Sequence, residues 1–318
     1  MRTIERMSFS SGAKTAFLFP GQGSQFPGMG KSLADAYLVA RRTFEEADDA
    51  LGFGLSTLCF EGPEDQLKLT ENTQPALVAV STAAFRVLTD KGLAPDYVAG
   101  HSLGEYSALV AAGSLSFADA LRLVRKRGSY MQQAVPPGVG AMAALLKLPE
   151  DKLASVLAEA AQGEVVEAAN LNSPDQIVIS GDAAAVNRAC ELAKLAGARR
   201  AVLLPVSAPF HSSLMKPAQQ RLAADLNETR FGDLDVPLVN NWQARVVTSG
   251  EDARRGLFEQ VPNPVRWAET VRLLASLGVL RTIEVGAGAV LTGLLRNIQP
   301  EIQGAKFGEA TDWEKLSA

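Results

Sequence analysis

A serine between two glycines, in the stretch GHSLG at residues 100–104, is the first feature of the sequence that could do chemistry. It fits the pattern G-x-S-x-G, in which a sharp strand-to-helix turn exposes a serine hydroxyl. The residues YVA before it favour a strand, and LGEYSALVAAG after it favours a helix. Gly100 and Gly104 would let both elements pack closely, and the helix N-terminus would point free N–H groups at the reacting centre. Ser102 is therefore a candidate nucleophile, with a purely structural serine as the alternative.

A serine hydroxyl needs a positioned base to react near neutral pH. The sequence offers two histidines, His101 and His211. His101 is adjacent to the serine, and neighbours on a tight turn point in different directions, so we expect it to pack or hydrogen-bond at the pocket wall. His211, in SAPFHSSLM, is the remaining candidate for the base. Glu167, Asp175, or a backbone or amide carbonyl could orient its ring.

One arginine falls on the apolar face of a helix that is predicted over residues 116–134, with Ser116 as its N-cap. At about 100° per residue, Arg127 lies among apolar side chains, whereas the other basic residues lie on the opposite face. A buried guanidinium needs a partner, because an unpaired buried charge is very costly. That partner could be a buried acid, such as Glu105 or Glu284, or the carboxylate of a ligand.

A glycine-rich loop, FPGQGSQFPGMG at residues 19–30, follows the first predicted strand, TAFLFP. It matches neither glycine pattern of the nucleotide-binding loops. Such a loop could be a simple tight turn, or it could place a backbone N–H beside the serine. Together with the N–H that follows the serine, this would form an oxyanion hole. Gln22 and Leu103 would be the two donors.

The order of the apolar segments predicts the fold that positions these residues. Short strands alternate with longer helices, which favours an α/β fold: a large hydrolase-like domain with a mostly parallel sheet and a nucleophile elbow. Between residues 138 and 206 the order becomes β-α-β-β-α-β, the arrangement of a ferredoxin-like unit. We expect this small domain to be inserted into a discontinuous large domain over residues 14–137 and 207–318. Residues 1–13 are expected to be a flexible leader.

Proline, glycine and the limits of apolar segments predict where some helices and strands begin and end. The segment TQPALVAVSTAAFRVLTDKG at residues 73–92 predicts a helix with Pro75 in its first turn and Gly92 after its end. Strands are predicted at RRAVLLPV (199–206) and at VPLVNN (236–241).

Composition and charge exclude several classes of function. The chain has 318 residues, 47% of them hydrophobic, and a net charge of −4, which does not suit a nucleic-acid binder. No apolar run reaches the roughly 18 residues of a membrane helix, and the start lacks the apolar core of a signal peptide. Cys59 and Cys190 are expected to be buried, reduced thiols of a cytoplasmic protein. The spacing of Cys and His predicts no metal site.

A set of stretches occurs in an order that is typical of one family. They are FPGQGSQ (19–25), TENTQPAL (70–77), GHSLGEYSALVAAG (100–113), KRG (126–128), GAMAALL (140–146), NLNSPDQIVISG (170–181), PFHSSLMKPA (209–218), NPVRW (263–267) and EVGAGAVLTGLL (284–295). Together they resemble malonyl-CoA:acyl-carrier-protein transacylase, the acyltransferase of bacterial fatty-acid synthesis. The resemblance covers nearly the whole chain after about residue 14, and the leader is the only departure from the family pattern. Acyltransferase domains of polyketide synthases share much of this set.

The resemblance implies a role for each residue around the thioester. Ser102 would be the acylated nucleophile and His211 the general base and acid. Gln260 matches the family position whose carbonyl orients the histidine. The backbone N–H groups of Gln22 and Leu103 would bind the oxyanion.

The resemblance also implies how the pocket selects its acyl group. Arg127 would bind the free carboxylate of malonyl and reject acetyl. Phe210 and His101 would line the pocket, and Phe210 would crowd the α-carbon of a branched group such as methylmalonyl.

The implied reaction is a ping-pong transfer from malonyl-CoA, through a malonyl-serine ester, to the phosphopantetheine thiol of holo-acyl carrier protein. No cofactor is expected, because the CoA and phosphopantetheine thioesters are substrates. We expect a cytoplasmic monomer that binds neither nucleic acid nor membrane. Five basic residues are candidates for docking the acidic carrier protein, with simple solvated charges as the alternative: Arg122, Arg125, Lys126, Arg199 and Arg200.

Other functions are compatible with parts of the same sequence pattern. A trans-acting acyltransferase of polyketide synthesis would use the same residues. A serine thioesterase or esterase would use the same elbow, although an arginine on the apolar face argues against it. A non-catalytic relative that only docks carrier proteins is disfavoured by the presence of Ser102, His211 and Arg127.

Overall fold

The computed structural model describes residues 13–206 and 208–317. The predicted leader, residues 1–13, lies outside the described residues except for Ala13. The strands are β1 (Lys14–Phe19), β2 (Tyr97–Gly100), β3 (Gly140–Leu146), β4 (Val166–Ser173), β5 (Gln176–Asp182), β6 (Arg200–Leu203), β7 (Leu238–Val239), β8 (Val246–Val247), β9 (Val279–Val285) and β10 (Gln303–Phe307).

The helices account for most of the remaining chain. They are α1 (Lys31–Ala36), α2 (Leu38–Leu51), α3 (Leu55–Glu61), α4 (Glu64–Leu67), α5 (Thr70–Asp90), α6 (Gly104–Ala111), α7 (Phe117–Gln133), α8 (Leu153–Ala161), α9 (Ala183–Leu195), α10 (Lys216–Glu228), α11 (Gly250–Gln260), α12 (Trp267–Ser276), α13 (Val290–Ile298) and α14 (Asp312–Ser317). Short 3-10 turns precede α8 and α10, at Glu150–Lys152 and Ser213–Met215.

A six-stranded sheet in the order β10-β9-β1-β2-β7-β8 forms the centre of the fold. Its neighbours pair in parallel, except β7 and β8, which are antiparallel. The central strand β1 buries Phe17, Leu18 and Phe19, because helices cover both faces of the sheet. The predicted α/β fold with a mostly parallel sheet is confirmed.

A second sheet, in the order β4-β5-β3-β6, is antiparallel throughout. Helices α8 and α9 pack on one face of it and enclose their own apolar cluster. The other face contributes Met142, Ala144 and Val178 to the main core. The strands and helices follow the β-α-β-β-α-β order that was predicted for this segment, and the division of the chain into two domains stays a prediction.

The prediction that Pro75 lies in the first turn of its helix was wrong. Helix α5 begins at Thr70, so Pro75 lies in the second turn. Proline has no N–H to donate to the carbonyl four residues earlier, here that of Glu71. The Nη1 atom of Arg125 donates to that carbonyl at 3.4 Å, so a partner from α7 makes the proline tolerable.

Two strands are shorter than predicted, and for β7 the structure shows a local reason. Strand β6 ends at Leu203 rather than at residue 206, and β7 covers only Leu238–Val239. After β7, the side-chain oxygen of Asn240 accepts hydrogen bonds from the backbone of Gln243 and Arg245, which turns the chain. Side-chain capture of the backbone therefore ends the ladder.

The predicted N-cap of α7 is confirmed, since the Ser116 side chain accepts a hydrogen bond from the backbone N–H of Asp119. Both cysteines, Cys59 and Cys190, are buried and free. Within residues 13–206 and 208–317, no helix has the length and apolar character that crossing a membrane requires.

Candidate active site

Ser102 lies on a tight turn between β2 and α6, at the carboxyl end of the parallel sheet. Its φ of 49° is in the left-handed region, which is strained for a residue with a Cβ. A Cβ added to Gly100 would lie 2.0 Å from the carbonyl of Gly104, and one added to Gly104 would lie 2.0 Å from the carbonyl oxygen of Phe19. The two glycines are therefore needed for the close approach of β1, β2 and α6.

Asn241, directly after β7, holds this turn from the side. Its Oδ1 accepts a hydrogen bond from the backbone N–H of Ser102, and its Nδ2 donates to the carbonyl of Gly100, both at 2.6 Å. The side chain is fully buried. One amide thus fixes the backbone on both sides of His101.

His211 stands next to the serine hydroxyl. Its Nε2 lies 2.7 Å from Ser102 Oγ, and its Nδ1 lies 3.0 Å from the backbone carbonyl of Gln260. Since that carbonyl can only accept, Nδ1 carries the proton and Nε2 is free to take one from the hydroxyl. Burial, and then the charge of Arg127, lower the pKa of His211 to about 3. The ring is therefore a neutral base at neutral pH.

The two acids that the sequence offered as alternatives for orienting this ring have other partners. Glu167 accepts the backbone N–H of Ser213 at 2.6 Å. Asp175 forms a long ion pair with Lys147, at 3.9 Å. A backbone carbonyl, the other alternative, takes their place.

Arg127 is 1% exposed and reaches the serine from α7. Its Nη2 donates to Ser102 Oγ at 3.2 Å and to Gln260 Oε1 at 2.9 Å, while Nη1 donates to Gln74 Oε1 at 2.9 Å. The guanidinium is thus held by neutral oxygens. Within the described part of the chain it forms no ion pair.

The buried acids that could have paired with Arg127 have other partners. Glu284 accepts the backbone N–H groups of Leu291 and Thr292 at the start of α13. Glu105 lies under the elbow, where Oε2 accepts from the backbone N–H of Asn241 and from Gln260 Nε2, each at 2.9 Å. Burial raises the pKa of Glu105 to about 7, against these hydrogen bonds and the nearby charge of Arg127, which lower it.

The other predicted site residues line one cavity with Ser102, His211 and Arg127. They are Gln22, His101, Leu103 and Phe210. The His101 ring is bonded to Asn172, with Nε2 2.8 Å from Oδ1, and it meets the Trp267 ring edge-on at 5.5 Å between centroids. Apolar side chains, including Met131, Met142 and Leu204, complete the walls.

The basic residues of α7 are largely occupied. Arg122 pairs with Asp119, Lys126 pairs with Asp225, and Arg125 stacks on the Phe53 ring and donates to Asn72. Arg199 and Arg200 are exposed and line a groove with Lys147. These two arginines lie beside the ion pair of Lys147 and Asp175.

Among the polar residues of the site that were not predicted, Gln74 bonds to Arg127 and Asn241 bonds to the backbone of Ser102. Each is an amide within an apolar segment, TQPALVAV or VPLVNN. A buried amide needs hydrogen-bond partners, so its place in an apolar segment was the available signal. Metal ligands do not gather in this structure: residues 13–206 and 208–317 hold no group of three or more His, Cys, Asp or Glu that could bind an ion.

Comparison with known proteins decides the family. Residues 16–306 match the model of the acyl transferase domain. The chain belongs to the acyl transferase family. Malonyl CoA-acyl carrier protein transacylases of Bacillus subtilis (strain 168) and Escherichia coli (strain K12) are 50% and 48% identical to this acyl transferase. Each alignment covers 92% of this chain, and 92% and 96% of the respective relative. The family resemblance that the motifs predicted is confirmed.

Solved structures of the same family have the same fold as this acyl transferase. An acyl carrier protein S-malonyltransferase from Vibrio cholerae superimposes with a TM-score of 0.94 at 46% identity, over 96% of this chain and 100% of the other. A malonyl-transacylase in complex with a type II polyketide synthase acyl-carrier protein gives 0.93 at 46% identity, over 95% and 98%.

Proposed function

We propose that this acyl transferase moves malonyl from malonyl-CoA to the phosphopantetheine thiol of acyl carrier protein, and so supplies the extender unit for fatty-acid synthesis. The observation that carries this proposal is the position of Ser102 Oγ, 2.7 Å from a neutral imidazole and 3.2 Å from a buried guanidinium. A nucleophile, a base and a carboxylate-binding cation thus share one cavity. The names of the similar proteins support the choice of malonyl and of a carrier protein.

The first half-reaction acylates the enzyme. Ser102 Oγ attacks the thioester carbonyl carbon while its proton passes to Nε2 of His211. The resulting imidazolium is stabilised by the Nδ1–H bond to the Gln260 carbonyl. The backbone N–H groups of Gln22 and Leu103 donate hydrogen bonds to the carbonyl oxygen as negative charge develops on it. The C–S bond then breaks, and the CoA sulfur leaves with the proton from Nε2.

The second half-reaction runs the same steps in reverse with a different thiol. The phosphopantetheine thiol gives its proton to His211 Nε2, and its sulfur attacks the ester carbonyl. The C–O bond breaks, and Ser102 recovers its proton from His211. The ring is neutral again after each half-reaction, because it has passed its proton to the CoA sulfur or to Ser102 Oγ.

Arg127 provides selectivity for malonyl. A malonyl ester on Ser102 carries its carboxylate into the space beside Nη2, where the guanidinium binds it with charge-assisted hydrogen bonds. Acetyl has no group to replace that interaction, so the cation stays bound to neutral oxygens. Phe210, which lines the same cavity, would crowd an α-methyl group.

We also propose the domain division and the docking surface. Residues 138–206 would be a ferredoxin-like domain inserted into a large domain over residues 14–137 and 207–318. The small domain contributes Met142 and Asn170 to the cavity wall, and its exposed Arg199 and Arg200 would bind the carrier protein. A cytoplasmic monomer stays a prediction.

Intact-mass spectrometry tests the proposal directly. Incubation with malonyl-CoA is expected to add one malonyl group to the wild-type chain and none to Ser102→Ala. Addition of holo-carrier protein should then move the group to the carrier faster than water hydrolyses it. An adduct on Ser102→Ala would rule out the assigned nucleophile, and loss of malonyl to water alone would favour the thioesterase function.

A second set of acceptors separates the two biosynthetic roles. One solved relative is bound to a carrier protein of type II polyketide synthesis. Transfer rates to holo-carrier proteins of fatty-acid and of polyketide synthesis should therefore be compared. A preference for the polyketide carrier would assign the alternative role.

A further inference from the structure

One carboxylate oxygen connects the two sides of the Ser102 turn. Glu105 is the second residue of α6 and is fully buried. Its Oε2 accepts from the main-chain N–H of Asn241 and from the side-chain Nε2 of Gln260. Asn241 in turn accepts the N–H of Ser102. The acid therefore contacts the residues that hold the nucleophile without reaching the cavity itself.

The side-chain amide of Gln260 lies between Glu105 and Arg127. Its Nε2 donates to Glu105 Oε2 and to the carbonyl of Ser102, while its Oε1 accepts from Arg127 Nη2. A reversed amide would put Oε1 against the carboxylate and N–H against the guanidinium, which the charges disfavour. The carboxylate of Glu105 and the cation of Arg127 thus select one orientation. The main-chain carbonyl of the same residue holds His211 Nδ1.

The site of Glu105 suits a carboxylate and not an amide. Its second oxygen, Oε1, has no hydrogen-bond partner among residues 13–206 and 208–317, and neither has Asn240 Nδ2. Both atoms lie 3.5 Å from the position that a Cβ on Gly256 would occupy. A glutamine at position 105 would turn its NH₂ either toward the two N–H donors at Oε2 or toward the region of Asn240 Nδ2, a third donor. Either arrangement places donors against donors.

We propose that Glu105 is a positioning residue for acyl transfer, an inference that rests on the function proposed above. Through the side chain of Gln260 it orients the guanidinium of Arg127 and positions the carbonyl that binds His211. Through Asn241 it fixes the backbone of the Ser102 turn. It does not touch the substrate. Its loss is expected to change which acyl group is accepted as well as the rate.

Glu105→Gln tests this inference because it keeps the shape and removes the charge. The ratio of kcat/KM for malonyl-CoA to that for acetyl-CoA is expected to fall about ten-fold or more, the usual effect of losing a hydrogen bond to a charged group. The loss should lie mainly in a higher KM for malonyl-CoA. A variant that is merely destabilised would lose both activities equally.

Glu284→Gln is the matched control. Glu284 is equally buried and bonded to two backbone N–H groups, but these bonds go to the start of α13 and not to the residues that hold Ser102. This control should keep the wild-type ratio, and thermal unfolding of both variants should report the general cost of the substitution.

A serine-directed fluorophosphonate probe gives a readout that does not need malonyl-CoA. The rate at which it labels Ser102 should fall in Glu105→Gln and stay unchanged in Glu284→Gln. A wild-type chain that reacts with the probe but never with malonyl-CoA would reject the proposed function, while the probe rates would still decide the role of Glu105.

If Glu105→Gln does not fold, Glu105→Asp provides the test. It keeps the negative charge but moves the carboxylate away from Asn241 and Gln260 by the length of one methylene. It should show the same fall in ratio and in probe rate. A folded variant of either kind with the wild-type ratio and the wild-type probe rate would overturn the inference. Failure of both variants to fold would also overturn it, because Glu105 would then serve folding alone.

Discussion

The Nη2 atom of Arg127 lies 3.2 Å from the Oγ atom of Ser102, so the buried cation sits directly beside the nucleophile. The other hydrogen bonds of the guanidinium go to the side-chain oxygens of Gln74, from Nη1, and Gln260, from Nη2. These neutral oxygens fix the orientation of the guanidinium group and leave its positive charge unpaired by any acid among the described residues. A short acyl group with a free carboxylate is the chemistry that this arrangement fits best.

Replacement of Arg127 by alanine should therefore change the choice of acyl group. Malonyl transfer is expected to fall by about 10–100-fold, as for the loss of a charge-assisted hydrogen bond, while acetyl transfer stays the same or rises. The measurement is kcat/KM with both acyl-CoAs. Arg86→Ala, which removes a half-buried arginine paired with Glu46, is the control and should leave both values unchanged. Equal losses for malonyl and acetyl would contradict the assignment.

The pH dependence of acylation should reflect the displaced pKa of His211. Only the neutral ring accepts the serine proton, so a pKa of about 3 moves the acid limb of kcat/KM below the usual value for histidine of about 6.5. Acylation measured by rapid quench should thus persist on the acid side of that value.

If kcat/KM also falls as the pH drops through neutrality, a group other than His211 must be responsible. Glu105, whose pKa is raised to about 7 by burial, loses its charge as the pH falls through that value. Such a limb should vanish in Glu105→Gln. Its survival in that variant would assign it to His211, against the expectation above.

The close packing at the elbow should make Gly104 irreplaceable. An alanine there would place its Cβ 2.0 Å from the Phe19 carbonyl, so the free energy of unfolding should drop by roughly 3 kcal/mol or more. Gly293→Ala is the control, because that helical glycine is exposed and has nothing within 4 Å of an added Cβ. It should raise the free energy of unfolding by up to about 1 kcal/mol. Urea denaturation of both variants measures the difference; similar values would mean that the elbow can relax.

The fold was predictable where local sequence carries the information. Strand β1 ends in the apolar residues Ala16 to Phe19, and the N-cap residue Ser116 marks the start of α7. The prediction failed where a side chain binds a backbone group, because the apolar pattern of a segment does not show such a bond. Pro75 in the second turn of α5 depends on Arg125 from another helix, and the length of β7 depends on which backbone groups Asn240 captures.

The same distinction applies to the site. Ser102 and His211 could be paired because the chain has so few histidines. The contact between Asn241 and the backbone of Ser102 could not be predicted. The two residues are 139 positions apart and meet only through the pairing of β2 with β7. Periodicity placed Arg127 on a buried face. It predicted a buried acid or a ligand carboxylate as the partner, whereas the side chains bonded to Arg127 are the amides of Gln74 and Gln260. Periodicity could not show these amides, because they depend on how α5 and α11 pack around the guanidinium.

The neutral partners of Arg127 have a practical consequence for handling the protein. A guanidinium whose nearest oxygens carry no charge attracts small dicarboxylates of any origin, so buffer salts of that type should compete with the thioester substrate. The same salts should protect the chain against heat, because a molecule that binds only the folded form raises stability by mass action.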